Sequence, residues 1–143
     1  MRIIIDTSTI LAHLFSRGEN HTTEIFNLVK QKKVTLITCK EALQELKTTL
    51  ASDKIKKLPY YRPHINAEFV AWYQYNAELQ FISSVEPTHA RDQNDSFFIH
   101  LAEISNADFL ISGDKDLLVL KSINTTKVVK PKEFIISIQK IIR

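Results

Sequence analysis

Five short apolar runs recur along this chain, and segments with helical periodicity occupy most of the spaces between them. The strand-like runs are 2–5, 34–38, 81–85, 109–112 and 126–129. The spacing of apolar residues predicts helices over 8–16, 22–32, 40–52, 65–78, 95–106 and 133–142. Strands that alternate with helices favour a parallel sheet covered by helices on both faces. We therefore predict an α/β fold, a single-domain three-layer α/β/α sandwich with a mainly parallel central sheet, over residues 1–143.

Composition agrees with one ordinary globular unit. A chain of 143 residues with 44% hydrophobic residues can bury a core without disulfides. The one cysteine, Cys39, lies in an apolar stretch, and we expect it to be a buried small side chain. The first apolar run stops at Asp6, too early for a signal peptide, and no run reaches transmembrane length. We expect a cytoplasmic protein with no membrane partner.

The shortage of glycine excludes one large class of ligand. Only two glycines occur in the chain, so the Gly-rich loops that hold nucleotide phosphates are absent. We therefore expect no nucleotide cofactor.

Acidic residues follow two of the predicted strands. Asp6 comes directly after the first strand, and Asp114 and Asp116 come shortly after the fourth. In an open α/β sheet the carboxyl ends of parallel strands line the ligand crevice, so distant acids can converge there. Each has a local alternative, because Asp6 can cap the next helix and the other two can form a polar turn.

Two further acids lie on predicted helices. Glu45 lies at the margin of the apolar face of its helix, from which it can turn towards a cleft. An ordinary exposed glutamate is the alternative, and Glu41, one turn earlier, is a competing candidate. Asp95 immediately precedes an apolar-periodic helix, so it can cap that helix or point from its first turn into a site.

The acids at strand ends and on helices indicate a cation-binding site if the fold brings them together. Gathered carboxylates repel one another unless a cation compensates them, and Mg²⁺ or Mn²⁺ prefers oxygen ligands. The five histidines form no pair at a zinc-like helical spacing, which disfavours zinc.

Basic residues cluster in one segment of a chain whose net charge is +3. Aromatic rings able to stack on bases adjoin cations able to contact phosphates in the set Lys54, Lys56, Lys57, Tyr60, Tyr61 and Arg62. A solvated helix end and loop is an equally good interpretation of this patch alone.

Four motifs carry a family resemblance. They are IIDTS at 4–8, EALQEL at 41–46, RDQNDS at 91–96 and ADFLISGDKDLL at 107–118, followed by PKEF at 131–134. In order and rough spacing, over essentially the whole chain, they resemble the PIN-domain nucleases. The ending resembles the stand-alone, toxin-like (VapC-like) members found in type II toxin–antitoxin pairs.

The resemblance implies a metal-dependent ribonuclease that uses Mg²⁺ or Mn²⁺, an RNA substrate, a protein antitoxin and a homodimer. It implies that the catalytic acids are Asp6, Glu45, Asp95 and Asp114, with Asp116 as a fifth, and that the metal is held chiefly by Asp6, Asp95 and Asp114. Ser8 and Ser112 would orient ligands or water. The chain departs from the common pattern at Ser8, Gln93 and Ser96, and none of these removes a principal acid.

On this hypothesis one or two ions lower the pKa of a water that attacks the phosphate. Glu45 completes the cluster or positions the water, and Lys115 joins the basic patch in attracting the RNA backbone. Two alternatives stay open. The chain could be a catalytically inactive RNA-binding or assembly module on the same fold. It could also transfer phosphate through an aspartate, although such phosphatases need a second Asp where Ser8 stands.

Overall fold

The fold is taken from a computed structural model that describes residues 1–16, 20–82 and 96–142. In these residues the strands are β1 (Arg2–Ile5), β2 (Thr35–Cys39), β3 (Glu78–Gln80), β4 (Phe109–Ile111), β5 (Ser122–Ile123) and β6 (Thr126–Val129). The helices are α1 (Thr7–Leu14), α2 (His21–Lys30), α3 (Lys40–Leu50), α4 (Asp53–Lys56), α5 (Pro63–Asn76), α6 (Ser96–Ser105), α7 (Lys115–Leu118) and α8 (Pro131–Ile142).

The strands form one sheet in the order β3-β2-β1-β4-β6-β5. Every neighbouring pair is parallel except β5 with β6. The register aligns Ile5 of β1 with Ile111 of β4, and Ile111 with Val129 of β6. These three strands therefore end level with one another, at what we call the carboxyl end of the sheet.

Helices cover both faces of the sheet, because successive strand side chains point to opposite sides. Ile3 and Ile5 of β1 lie in a core built with residues of α1, α2, α3, α5 and α8. Ile4 lies in a second core, built mainly with α6. All three isoleucines are almost completely buried. The predicted three-layer α/β/α architecture with a mainly parallel sheet is confirmed.

The predicted strand at 81–85 is wrong at residues 81 and 82, which form no strand. The strand of this region is Glu78–Gln80, and residues 83–85 lie outside the described part of the chain. Pairing with β2 sets its place, and an ion pair of 2.6 Å joins Arg2 Nη2 to Glu78 Oε2. Tertiary contacts, not an apolar run, therefore locate this strand. The other predicted elements agree with the structure to within two residues at each end.

Three short elements were not predicted, namely α4, α7 and β5. Each has two to four residues, too few to produce a recognisable periodicity. Cys39 is fully buried and free, as predicted. In the ranges that the structure describes, no helix has both the length and the hydropathy needed to cross a bilayer.

Candidate metal centre at the carboxyl end of the sheet

The first and fourth strands bring two distant parts of the chain together. The Asp6 N–H donates to the Ile111 carbonyl over 3.2 Å, and the Ser112 N–H donates to the Val129 carbonyl over 2.9 Å. Asp6 and Ser112 therefore lie side by side at the carboxyl end of the sheet. Helices α1, α3 and α8 begin one or two residues after a strand ends, so their unpaired N–H groups lie at this end too.

Asp6 is the most buried acid of this region, with 4% of its surface exposed. Its Oδ1 accepts a hydrogen bond from the Thr9 N–H over 2.9 Å, which caps α1. The Ser8 hydroxyl lies 3.2 Å from both carboxylate oxygens, and the Ser112 hydroxyl donates to Oδ2. Asp6 therefore caps α1 with one carboxylate oxygen and contacts Ser112 of the candidate site with the other.

Burial raises the pKa of Asp6 above its ordinary value of 3.8, although hydrogen bonds from Ser112, Thr9 and Ser8 partly offset this effect. Within the described ranges no lysine or arginine forms an ion pair with Asp6. Among the residues that the structure describes, this desolvated carboxylate therefore has no cationic side chain to balance it, a situation that a bound cation would relieve.

Glu45 extends from α3 towards this carboxylate. Burial raises the pKa of Glu45, a hydrogen bond with Thr7 lowers it, and the negative charge of Asp6 raises it further. The hydrogen bond with Thr7, the residue that follows Asp6, places Glu45 near Asp6, at the contact between α1 and α3. Glu41, the competing candidate, is exposed on the same helix.

Asp114 lies at the start of α7 and is linked to Asp6 through Ser112. The Ser112 hydroxyl oxygen accepts a hydrogen bond from the Asp114 N–H over 2.9 Å while its proton points to Asp6. Asp114 Oδ1 accepts from the Asp116 N–H over 3.0 Å, as a helix cap does. The Asp116 carboxylate is exposed, and its backbone N–H, not its side chain, makes this contact.

Asp95 lies outside the described residues, so its position stays a prediction. Helix α6, which begins at the next residue, runs along the sheet in a definite direction. Arg2 Nη2, at the amino end of β1, lies 3.3 Å from the Ser105 carbonyl at the C-terminus of α6. Thr126, at the start of β6, bonds the Ala102 and Ala107 carbonyls. The N-terminus of α6 consequently points towards the carboxyl end of the sheet.

The described residues alone do not make a complete metal cluster. In 1–16, 20–82 and 96–142, no three His, Cys, Asp or Glu side chains come together closely enough to hold an ion. The donors that are present are carboxylate and hydroxyl oxygens around a desolvated Asp6. This donor chemistry fits a hard divalent cation such as Mg²⁺ or Mn²⁺.

The candidate RNA-binding residues fall into two places. Lys54, Lys56 and Lys57 are exposed at the far end of α3, on and after α4. Arg62 is exposed too, but its Nη2 donates to the Leu14 carbonyl over 3.1 Å and so balances the C-terminus of α1. Lys115 is exposed in the first turn of α7, next to Asp114.

Two threonines that support the site were missed by the sequence interpretation. Thr7 is the hydrogen-bond partner of Glu45, and Thr9 supplies both backbone and side-chain bonds to Asp6. Both are buried. The hydroxyl-rich run that follows Asp6 was their only signal in the sequence.

An α/β/α domain with acids at the carboxyl end of a parallel sheet belongs to the class of proteins that bind ligands at strand ends. The PIN domain family matches residues 2–116, and the chain belongs to that family. PIN domains are generally nucleases that use divalent metal ions.

Among solved structures, the fold is similar to a chain in the crystal structure of VapBC2 from Rickettsia felis bound to a DNA fragment from their promoter. The TM-score is 0.61 and the identity 15%, over 90% of this chain and 97% of that chain. No curated protein sequence matches the chain.

Proposed function

We propose that this protein is a metal-dependent endoribonuclease that hydrolyses RNA phosphodiester bonds, and that it is the toxin of a toxin–antitoxin pair. One observation carries the catalytic part of the proposal. Asp6 and Glu45 are neighbouring, partly or fully desolvated acids, and no lysine or arginine of the described residues pairs with either. Two neighbouring desolvated acids lower the stability of the fold unless a bound cation compensates their charges.

Asp6, Asp114 and Asp95 would hold the ion, with Glu45 completing the set of acids. When bound, the ion would supply Lewis-acid polarisation of the phosphate and a water of lowered pKa. Membership of the PIN domain family supports this use of the acids.

The remaining residues of the site fix the positions of these acids. Ser112 and the Thr9 N–H occupy different oxygens of Asp6, so the carboxylate cannot rotate freely. The same serine accepts from the Asp114 N–H, which ties the start of α7 to the end of β1. Asp114 uses Oδ1 as a helix cap, and none of the described groups donates to its Oδ2. We assign that second oxygen to ligand binding.

The test is cleavage of a mixed RNA pool by purified protein with Mn²⁺ or Mg²⁺, and with EDTA. Asp6→Asn is the inactivating variant, and Asp53→Asn is the matched control because Asp53 is an exposed acid in α4. Metal-dependent cutting that survives in Asp53→Asn and disappears in Asp6→Asn supports the proposal. Equal activity of the two variants would refute the assignment of Asp6.

A second candidate is an RNA-binding or assembly module without turnover. The observation that favours it is the exposure of Lys54, Lys56 and Lys57 at the far end of α3, away from the acids. Metal-independent RNA binding by a well-folded protein that cuts nothing under any metal condition would establish this function. The aspartyl-phosphate alternative gains no support from the family match.

The toxin assignment includes a protein antitoxin and a homodimer as partners. It is supported by the likeness of the fold to a chain of the VapBC2 complex, which was crystallised bound to a DNA fragment from its promoter. Induced expression should arrest growth, and co-expression of the adjacent gene product should relieve the arrest. Light scattering of the purified protein measures its oligomeric state.

A further inference from the structure

Gly113 leaves open space beside the acids of the site. It lies between Ser112 and Asp114, and a Cβ atom added to it would meet no atom within 4 Å. Its φ is not in the left-handed region that favours glycine. Neither sterics nor backbone conformation therefore requires glycine here, and the clearance is available to a ligand.

Lys130 directly follows β6, the strand beside the one that leads into Gly113. Val129, the last residue of β6, is aligned with Ile111 of β4, so Lys130 stands level with Ser112 on the adjacent strand. Neighbouring strands are about 4.8 Å apart. The Lys130 carbonyl accepts from the Phe134 N–H over 3.0 Å, which fixes this backbone at the start of α8, and the residue is exposed.

We propose that the substrate phosphate backbone passes over Gly113 and that Lys130 binds one of its phosphates. This inference rests on the proposed nuclease function and adds to it the direction in which the RNA strand leaves the acids. A lysine ammonium is a compact charge on a flexible stem, suited to a phosphate whose exact position varies with the bound sequence.

The position of Lys130 distinguishes it from the basic patch of residues 54–62. Lys130 is one strand away from Ser112, which bonds Asp6 directly. Lys54 and Lys56 lie on α4, beyond the C-terminus of α3, whereas Glu45 lies at the midpoint of α3. Lys130 is therefore assigned to phosphates on the β4–β6 side of the cleaved bond, and Lys115, next to Asp114, remains the second basic residue close to the acids.

The test measures binding of a fluorescent single-stranded RNA by anisotropy in EDTA, so that no cleavage occurs. Lys130→Gln removes the charge, Lys130→Arg keeps it, and Lys127→Gln is the matched control, since Lys127 is exposed nearer the amino end of the same strand. Loss of one phosphate contact should lower the slope of log affinity against log salt by about 0.7. Lys130→Arg and Lys127→Gln should keep the wild-type slope.

Gly113→Ala supplies a second readout. An alanine adopts this backbone without strain, so the melting temperature should stay equal or rise, while RNA binding should weaken because the methyl group occupies the substrate path. A lower melting temperature, or unchanged RNA binding, would overturn the role assigned to Gly113.

Failure of this inference differs from failure of the proposed function. If wild-type protein binds and cuts RNA but Lys130→Gln behaves like Lys127→Gln, only the inference falls. If wild-type protein neither binds nor cuts any RNA, both fall.

Discussion

The Ser112 hydroxyl donates a hydrogen bond to the Asp6 carboxylate, although the two residues lie 106 positions apart in the chain. The same oxygen accepts from the Asp114 N–H. One fully buried hydroxyl therefore sets the relative positions of two acids that the sequence separates widely.

Ser112→Ala should lower the cleavage rate and the Mn²⁺ affinity by about 10- to 100-fold, the usual effect of losing a group that orients a metal ligand. It leaves the Asp114 N–H without its acceptor, so the free energy of unfolding should also fall, by about 1 to 3 kcal/mol. Calorimetric titration with Mn²⁺ and thermal melts measure both effects. Ser122→Ala, at an exposed serine of β5, is the control and should match wild type. Wild-type Mn²⁺ affinity in Ser112→Ala would contradict this prediction.

Asp6→Asn should raise the melting temperature in EDTA at pH 7. Because burial raises the pKa of Asp6, the protonated form stabilises the fold below the ordinary pKa of 3.8, and this stability is lost as the pH rises through the raised value. Asparagine stays neutral and still caps α1, whereas Asp6→Ala loses the cap and should be about 1 kcal/mol less stable than Asp6→Asn. Melts between pH 3 and pH 8 test this, and a wild-type protein that melts higher than Asp6→Asn at pH 7 would refute it.

Glu45→Gln should weaken Mn²⁺ binding by about tenfold or more, since it removes a charged oxygen donor beside Asp6. Glu41→Gln changes an exposed acid one turn earlier on the same helix and should leave the affinity unchanged. Calorimetric titration of the two variants compares them directly. Equal affinities would mean that Glu45 takes no part in ion binding.

His13 should make the fold sensitive to mild acid. Burial, with the positive charges of Lys30 and Arg62, lowers the pKa of His13 from 6.5 to about 4. The stability that neutral His13 provides is therefore complete above pH 6.5 and is lost as the pH falls towards 4. His13→Phe keeps an aromatic ring on Phe26, so its melting temperature should fall less over this interval.

His64→Phe is the control for that experiment, because His64 is exposed on α5. Its melting temperature should follow the wild-type curve through the same pH interval. Parallel curves for wild type and His13→Phe would contradict the prediction.

Periodic sequence signals were enough to predict the long elements and the layered fold. They could not place β3, because Glu78–Gln80 has one apolar residue and is located by pairing with β2 and by the Arg2 ion pair. The nearby apolar run at 81–85 attracted the prediction instead. Edge strands of this kind are specified by tertiary contacts more than by their own composition.

The sequence was enough to predict the acids of the site, but not all of the residues that hydrogen-bond to them. Asp6 and Asp114 follow apolar strands, a pattern visible in the sequence, and the structure joins their segments through Ser112. The link from Thr7 to Glu45 depends on how α1 and α3 pack, whereas Thr9 bonds Asp6 locally, as part of the cap of α1. Hydrogen bonds made across helices leave no periodic trace in the residues that make them.

The short connections between strands and helices determine where a peptide can be inserted into this chain. β2 passes into α3 with no intervening residue, and β1 and β6 enter their helices through Asp6 and Lys130 alone. An epitope tag inserted at any of these joins would pull apart the acids of the site. The turn at 124–125, at the opposite end of the sheet, is exposed at both residues and joins β5 to β6. A reporter peptide inserted there should leave the proposed nuclease activity intact, which makes that turn the best position for a tag that follows the protein in cells.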